Sequence, residues 1–324
     1  MKVITTVLGD IAPGELGFCQ SHEHLCITGA GDFPVKPEER IDDREKGREE
    51  AELYRKAGGD ALVDAQPLGC GRDALVLREI SQKSGVRIIA STGFHKMAYY
   101  SEGHWIHRAG TDELTRLFIE ELQGGMYLDG DRSYPRNQGP GRAGQIKTAL
   151  DAEGLTPRYQ KLFAAAAEAA KVCGCALMAH IEKGSDPVGL SDYLFKQGLA
   201  PNALIFCHLD RAVADIAVHR EICGRGITLE YDTIGRPKYH DDEREVAIIT
   251  EMLEAEYENQ LLMSLDTTRA RLRSYGGTPG LSYIRDEFIP LLRRRGVSET
   301  QIGAFFEGNP ARIFARTSPE PAES

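Results

Sequence analysis

Eight short apolar runs, each closed by polar or turn residues and most of them separated by segments of helical periodicity, predict a single-domain (β/α)8 TIM barrel. The length of 324 residues suits one such domain, because barrels of this kind run to ~250 residues and beyond. Histidines and acidic residues recur at the ends of the runs, which is where a barrel builds its site.

In chain order the predicted strands are 16–21, 61–65, 86–91, 144–148, 175–180, 203–208, 227–231 and 261–265. Between them, 73–85, 113–123, 157–172, 189–198 and 241–257 carry apolar residues at three- and four-residue spacing and are predicted helices. Thr156 and Pro157 form an N-cap and first-turn pair. Segment 127–144, rich in Gly, Pro and Arg, is expected to be a long loop before the fourth strand and a candidate lid. The barrel should occupy residues 1–315, leaving 316–324 (RTSPEPAES) as a disordered tail.

A net charge of -10 offers no general attraction to phosphate backbones or anionic lipid, so neither nucleic acid nor membrane is an expected partner. The opening MKVITTVLGD lacks the apolar core of a secretory signal, and no run approaches ~18 apolar residues, which reads as cytoplasmic. Seven cysteines, an odd number with no Cys-x-x-Cys pair, are expected to be reduced, small buried residues. Cys19, Cys26 and Cys207 flank the candidate site and are read as packing.

His22 and His24 close the first strand, Lys147 lies in the fourth, His180 ends the fifth, His208 ends the sixth and Asp266 follows the eighth. Alternate residues of a strand face the same way, so His22 and His24 can chelate one ion. A lone histidine at a strand end is more often a core residue. Four histidines and an aspartate at the ends of four strands converge on one face, and imidazole with carboxylate suits Zn, Mn, Ni or Co. Lysine is almost never buried unpaired. Lys147 is therefore either a snorkelling side chain or a neutral amine able to add carbon dioxide and become a carbamate.

These residues, together with GELGFCQSHEHL, LVDAQPLGCGRD, STGFH, GQIK, MAHIE, FCHLDR, SLDTTR and NPARIF, resemble the phosphotriesterase-like lactonase family of the amidohydrolase superfamily. The resemblance covers essentially the whole chain up to Phe314. It implies that His22, His24 and Asp266 hold a more buried metal and His180 and His208 a more exposed one. Carboxylated Lys147 and a hydroxide would bridge the two ions, with Asp266 also taking the hydroxide's proton and passing it to the leaving group. Ala179 and Ile181 depart from the family's usual residues beside the strand-five histidine. A homodimer is also implied. Trp105, with His104 and His107, could be lid, subunit contact or surface.

Substrate choice belongs to the loops. After Asp266 come Arg269, Arg271, Arg273 and Tyr275, and after the seventh strand come Arg236 and Lys238. Such cations are often paired with carboxylates such as Asp241, Asp242 and Glu243. In an acidic chain they also suggest an anionic substrate group, phosphate above all. The KY and RxxxxxYGG elements resemble those of phosphorylated sugar-lactone hydrolases, with Lys238, Arg269 and Tyr275 expected on the phosphate; Tyr99, after the third strand, either reaches the scissile carbonyl or simply packs. The expected substrate is a phosphorylated furanose 1,4-lactone. The alternatives are a phosphotriesterase or carboxylesterase, an acyl-homoserine lactone lactonase, and a non-catalytic metal-binding protein. A purine-type deaminase would lack the strand-four lysine.

Overall fold

The structure, a computed structural model, describes residues 1–28 and 36–317. A hairpin of β1 (Lys2–Thr6) and β2 (Gly9–Ile11) precedes the barrel. Eight parallel strands then follow one another: β3 (Cys19–Glu23), β4 (Ala61–Asp64), β5 (Arg87–Gly93), β6 (Gln145–Leu150), β7 (Leu177–Ile181), β8 (Leu204–Cys207), β9 (Thr228–Tyr231) and β10 (Leu261–Met263). Neighbours in sequence are neighbours in space, and the strands are buried on both faces, so they read as apolar runs rather than alternations.

No backbone ladder joins β10 to β3 among the described residues; side-chain and single backbone bonds close that seam. The Glu23 carboxylate accepts from Leu265 N at 2.8 Å, Thr267 N at 3.1 Å and the Thr267 hydroxyl at 2.8 Å. Asp266 N donates to His22 O at 3.1 Å. The glutamate between the two histidines thus ties the first strand end to the last.

Around the barrel run α1 (Arg44–Lys56), α2 (Ala74–Ser84), α3 (Thr111–Gln123), α4 (Pro157–Cys173), α5 (Pro187–Lys196), α6 (Leu209–Ala212), α7 (Ile216–Gly224) and α8 (Asp242–Glu254). All five expected helices are present. Asp73 caps α2 by accepting from Leu75 N and Val76 N, and Gly85 ends it at φ 73°. Thr156 caps α4 through Tyr159 N. The fourth expected helix starts earlier, at Pro187, because Asp186 caps it. The sequence reading did not name α1, whose apolar face is little more than Ala51 and Tyr54 in a run of charges. Helical segments α9 (Ile289–Arg294), α10 (Glu299–Gly303) and α11 (Asn309–Ile313) complete the layer, with Phe306 stacked on Phe18 at 4.6 Å.

Two expectations are corrected, and segment 127–144 is a long loop as expected. The tail does not begin at Arg316: β11 (Arg316–Thr317) pairs with β1, and the buried Arg316 guanidinium donates to Leu122 O, while 318–324 lie outside the described residues. Trp105 is not surface; it is buried, with its indole N–H donating to Gly130 O at 2.6 Å. Segment 127–144 folds back on itself through a Tyr127–Gln138 bridge and ties Arg142 to Asp10 at 2.7 Å. All seven cysteines are free and buried, as expected of a reduced chain. Among the described residues no helix is long and apolar enough to cross a membrane.

Candidate metal centre and substrate cavity

At the carboxyl ends of the strands opens a cavity of about 610 Å3 lined by His22, His24, Lys147, His180, His208 and Asp266, so the six expected ligands converge. His22 Nε2 and His24 Nε2 lie 3.7 and 3.5 Å from Asp266 Oδ1. Ligand atoms sharing a tetrahedral ion at bond lengths of about 2.1 Å stand ~3.4 Å apart, so this donor set fits a divalent metal. His180 and His208 meet edge to face, with ring centroids 4.4 Å apart.

Lys147 is 1% exposed, its ammonium 3.3 Å from His22 Nε2 and 3.8 Å from Cys207 Sγ. No carboxylate among the described residues pairs with it. A buried lysine facing only an imidazole and a thiol lacks the partner that burial of its charge requires. That is the environment a carbamate serving as a ligand would relieve. Gly93 makes the approach of β5 to this lysine feasible: at φ 105°, a Cβ there would sit 1.9 Å from Lys147 O.

Burial pushes the imidazoles of His22 and His180 down to about 4, leaving them neutral, the form that binds metals. His208 is likewise held well below its ordinary range, by burial and by Arg211. Its Nδ1 donates to Asp232 Oδ1 at 2.6 Å, and His22 Nδ1 lies 3.3 Å from Asp232 Oδ2, so one buried carboxylate orients two ligands and leaves each Nε2 for the cavity. His208 and Asp266 both adopt left-handed backbone, at φ 70° and 50°, which few residues other than Gly, Asn, Asp and His take up.

Burial alone would raise the Asp266 carboxyl, yet Arg236 and Arg211 hold it well below the usual range. Both donate to Oδ2, at 2.7 and 3.0 Å, leaving Oδ1 toward the histidines. The same two guanidiniums lie 5.6 and 5.0 Å from the Tyr239 ring centroid, with the Lys238 ammonium at 5.3 Å, forming one cationic wall.

Lys238 and Tyr99 line the cavity as expected. Arg269 and Tyr275 do not. Arg269 stacks on Tyr275 at 5.0 Å and lies 3.8 Å from Asp42, while the Tyr275 hydroxyl accepts from Asp43 N and donates to Asp43 O. Their chain positions follow Asp266 closely, but the backbone turns them outward to brace the start of α1. Arg271 is likewise taken up, donating to Ile234 O and Gly235 O and so bracing the loop that carries Lys238. No residue of 127–144 lines the cavity, so this segment is not its wall. The sequence reading gave no role to Asp232, Arg211, His95, Lys96 or Glu182; Arg211 and Glu182 stand two or three residues beyond a ligand histidine, which was the available signal.

Residues 2–314 match the sequence profile described as the Phosphotriesterase family. A phospho-furanose lactonase of Mycoplasmopsis agalactiae is 28% identical over 98% of this chain and 93% of its own. An N-acetyltaurine hydrolase of Salmo salar is 27% identical over 95% of this chain and 97% of its own. Among solved structures, an amidohydrolase from Mycoplasma synoviae superposes with a TM-score of 0.92 at 26% identity, covering 98% of this chain and 93% of its own.

Proposed function

The chain belongs to the phosphotriesterase family and is a hydrolytic enzyme, and from that premise we propose that it is a metal-dependent lactonase acting on a phosphorylated furanose 1,4-lactone. The observation that carries this reading is the cationic wall of Arg211, Arg236 and Lys238 beside the candidate ligands in one cavity. Guanidinium and ammonium donors bind phosphate through charge-assisted bonds, and Arg236 keeps donors free after its contact with Asp266.

In the proposed arrangement His22, His24 and Asp266 would hold one divalent ion (Zn, Mn, Co or Ni) and His180 and His208 a second, with Lys147, as its carbamate, a further ligand. Bound metals supply Lewis acidity, polarising the scissile carbonyl and making water a good nucleophile near neutral pH. Asp266, kept ionised by its two arginines, accepts the proton of the attacking water and returns it to the departing ring oxygen. Lys238, Arg236 and Arg211 fix the phosphate end, and Tyr99 flanks the reacting carbonyl. Strands β3, β6 and β7 hold His22, Lys147 and His180, and His24 and His208 directly follow β3 and β8, so these groups are set on a rigid frame that orients the substrate.

The test compares lactones that differ only in a phosphate, with hydrolysis followed by proton release on Mn- or Zn-loaded protein. Strong preference for the phosphorylated partner is expected; equal rates overturn the phosphate reading. Lys238→Ala should lower that preference by about tenfold or more, the size of one lost bond to a charged group. Arg269→Ala, by contrast, should change it little, since Arg269 does not line the cavity. The same wall would serve an N-acyl amide bearing a sulfonate, a second reading favoured by the Salmo salar relative, and N-acetyltaurine belongs in the same assay.

A further inference from the structure

Two charged side chains that the mechanism has not used line the cavity, Lys96 on the loop after β5 and Glu182 just beyond β7. The Lys96 ammonium donates to Glu182 Oε2 at 2.5 Å, and the same oxygen lies 3.1 Å from His180 Nε2. Both side chains line the cavity, with 20% and 31% of their surface open. They belong to the loops after β5 and β7, whereas the phosphate-binding candidates come from α6 and the loop after β9.

The pair is not saturated. An ammonium carries three donors and a carboxylate about four acceptor sites. The Lys96 ammonium has Glu182 as a hydrogen-bond partner, with the Tyr99 ring 5.8 Å away, and Glu182 Oε1 accepts a single backbone bond, from Lys183 N at 3.3 Å. Pairing fixes the position of each group while its remaining capacity faces the cavity. A donor and an acceptor fixed side by side match vicinal hydroxyls, each of which donates one bond and accepts another. The cavity, at about 610 Å3, has room for a phosphorylated sugar ring.

We propose that Lys96 and Glu182 form a hydroxyl-recognising subsite that reads the ring hydroxyls of the sugar lactone. This rests on the proposed lactonase function and adds the specificity element: the cationic wall takes the phosphate, and the Lys96–Glu182 pair takes the polyol face.

The experiment measures kcat/KM on a furanose 1,4-lactone 5-phosphate and on its 2,3-dideoxy counterpart, for the wild type, Glu182→Gln and Lys96→Met, with metal content determined on each protein. The wild type should favour the hydroxylated lactone. Each variant should lose that preference by ~10-fold or more, as expected when a hydrogen-bonding site no longer matches a substrate hydroxyl, with metal content unchanged. Unaltered hydroxyl preference in both variants overturns the inference. So does loss of bound metal in Glu182→Gln, which would make Glu182 a support of the His180 site. A wild type indifferent to the phosphate, measured with the unphosphorylated lactone alongside, overturns the proposed function instead, so the two failures are distinguishable.

Discussion

In the proposed reaction the chemistry turns on Asp266 and Lys147. Asp266 combines a left-handed backbone, two arginine donors on one oxygen and two histidines facing the other. Asp266→Asn should therefore lower kcat by ~10^2-fold or more, the usual size of a general acid–base contribution, which steady-state kinetics on the loaded enzyme would read. Lys147→Ala should reduce the metal bound per chain when counted by elemental analysis; retention of two ions at full rate would remove Lys147 from the site. Gly93→Ala tests the support beneath it. A Cβ there meets Lys147 O, so β5 and β6 must separate, and a loss of roughly 1–3 kcal/mol in denaturant unfolding is expected, with weaker metal retention.

Elements carry the site because charged contacts pin the loops between them. Arg72, in the turn after β4, makes a buried two-bond pair with Glu121 of α3 at 2.8 and 2.6 Å, and also donates to Ser91 O of β5 and to Tyr127 O. Glu121 in turn accepts from Tyr127 N at 2.7 Å. One ion pair thus joins a strand, a helix, a turn and the start of the 127–144 segment. Removing one partner strands a buried charge, so Glu121→Ala should cost about 3–5 kcal/mol in a urea titration; a change within ~0.5 kcal/mol would show the pair to be dispensable. None of this was legible in the sequence. Arg72 and Glu121 stand far apart in the chain, and each reads as an ordinary surface charge until the fold buries both.

At the scale of the whole molecule, burial of neutral histidines makes the metal-free protein sensitive to acid. His104 is held down to about 4 by burial, as are His22 and His180, against an ordinary value of 6.5. At these three histidines, between pH 6.5 and 4, the unfolded chain takes up protons that the folded chain refuses, so the stability they contribute is full above about 6.5 and falls as the pH drops through that window. Unfolding midpoints at pH 7.5 and 5.0 on chelator-treated protein isolate one such contribution: His104→Gln should lose less stability on acidification than the wild type. By itself the sequence determined the barrel, its strand order and the six converging ligand candidates. Short apolar runs alternating with helical segments are buried as parallel strands covered by helices, and a barrel sends every strand's carboxyl end to one face. The tertiary structure decided which cations reach the cavity. Lys238 and Arg236 enter it while Arg269 and Tyr275 turn away to α1, because a loop's direction depends on the contacts that brace it, here Asp42 and Asp43, and those contacts are remote in sequence.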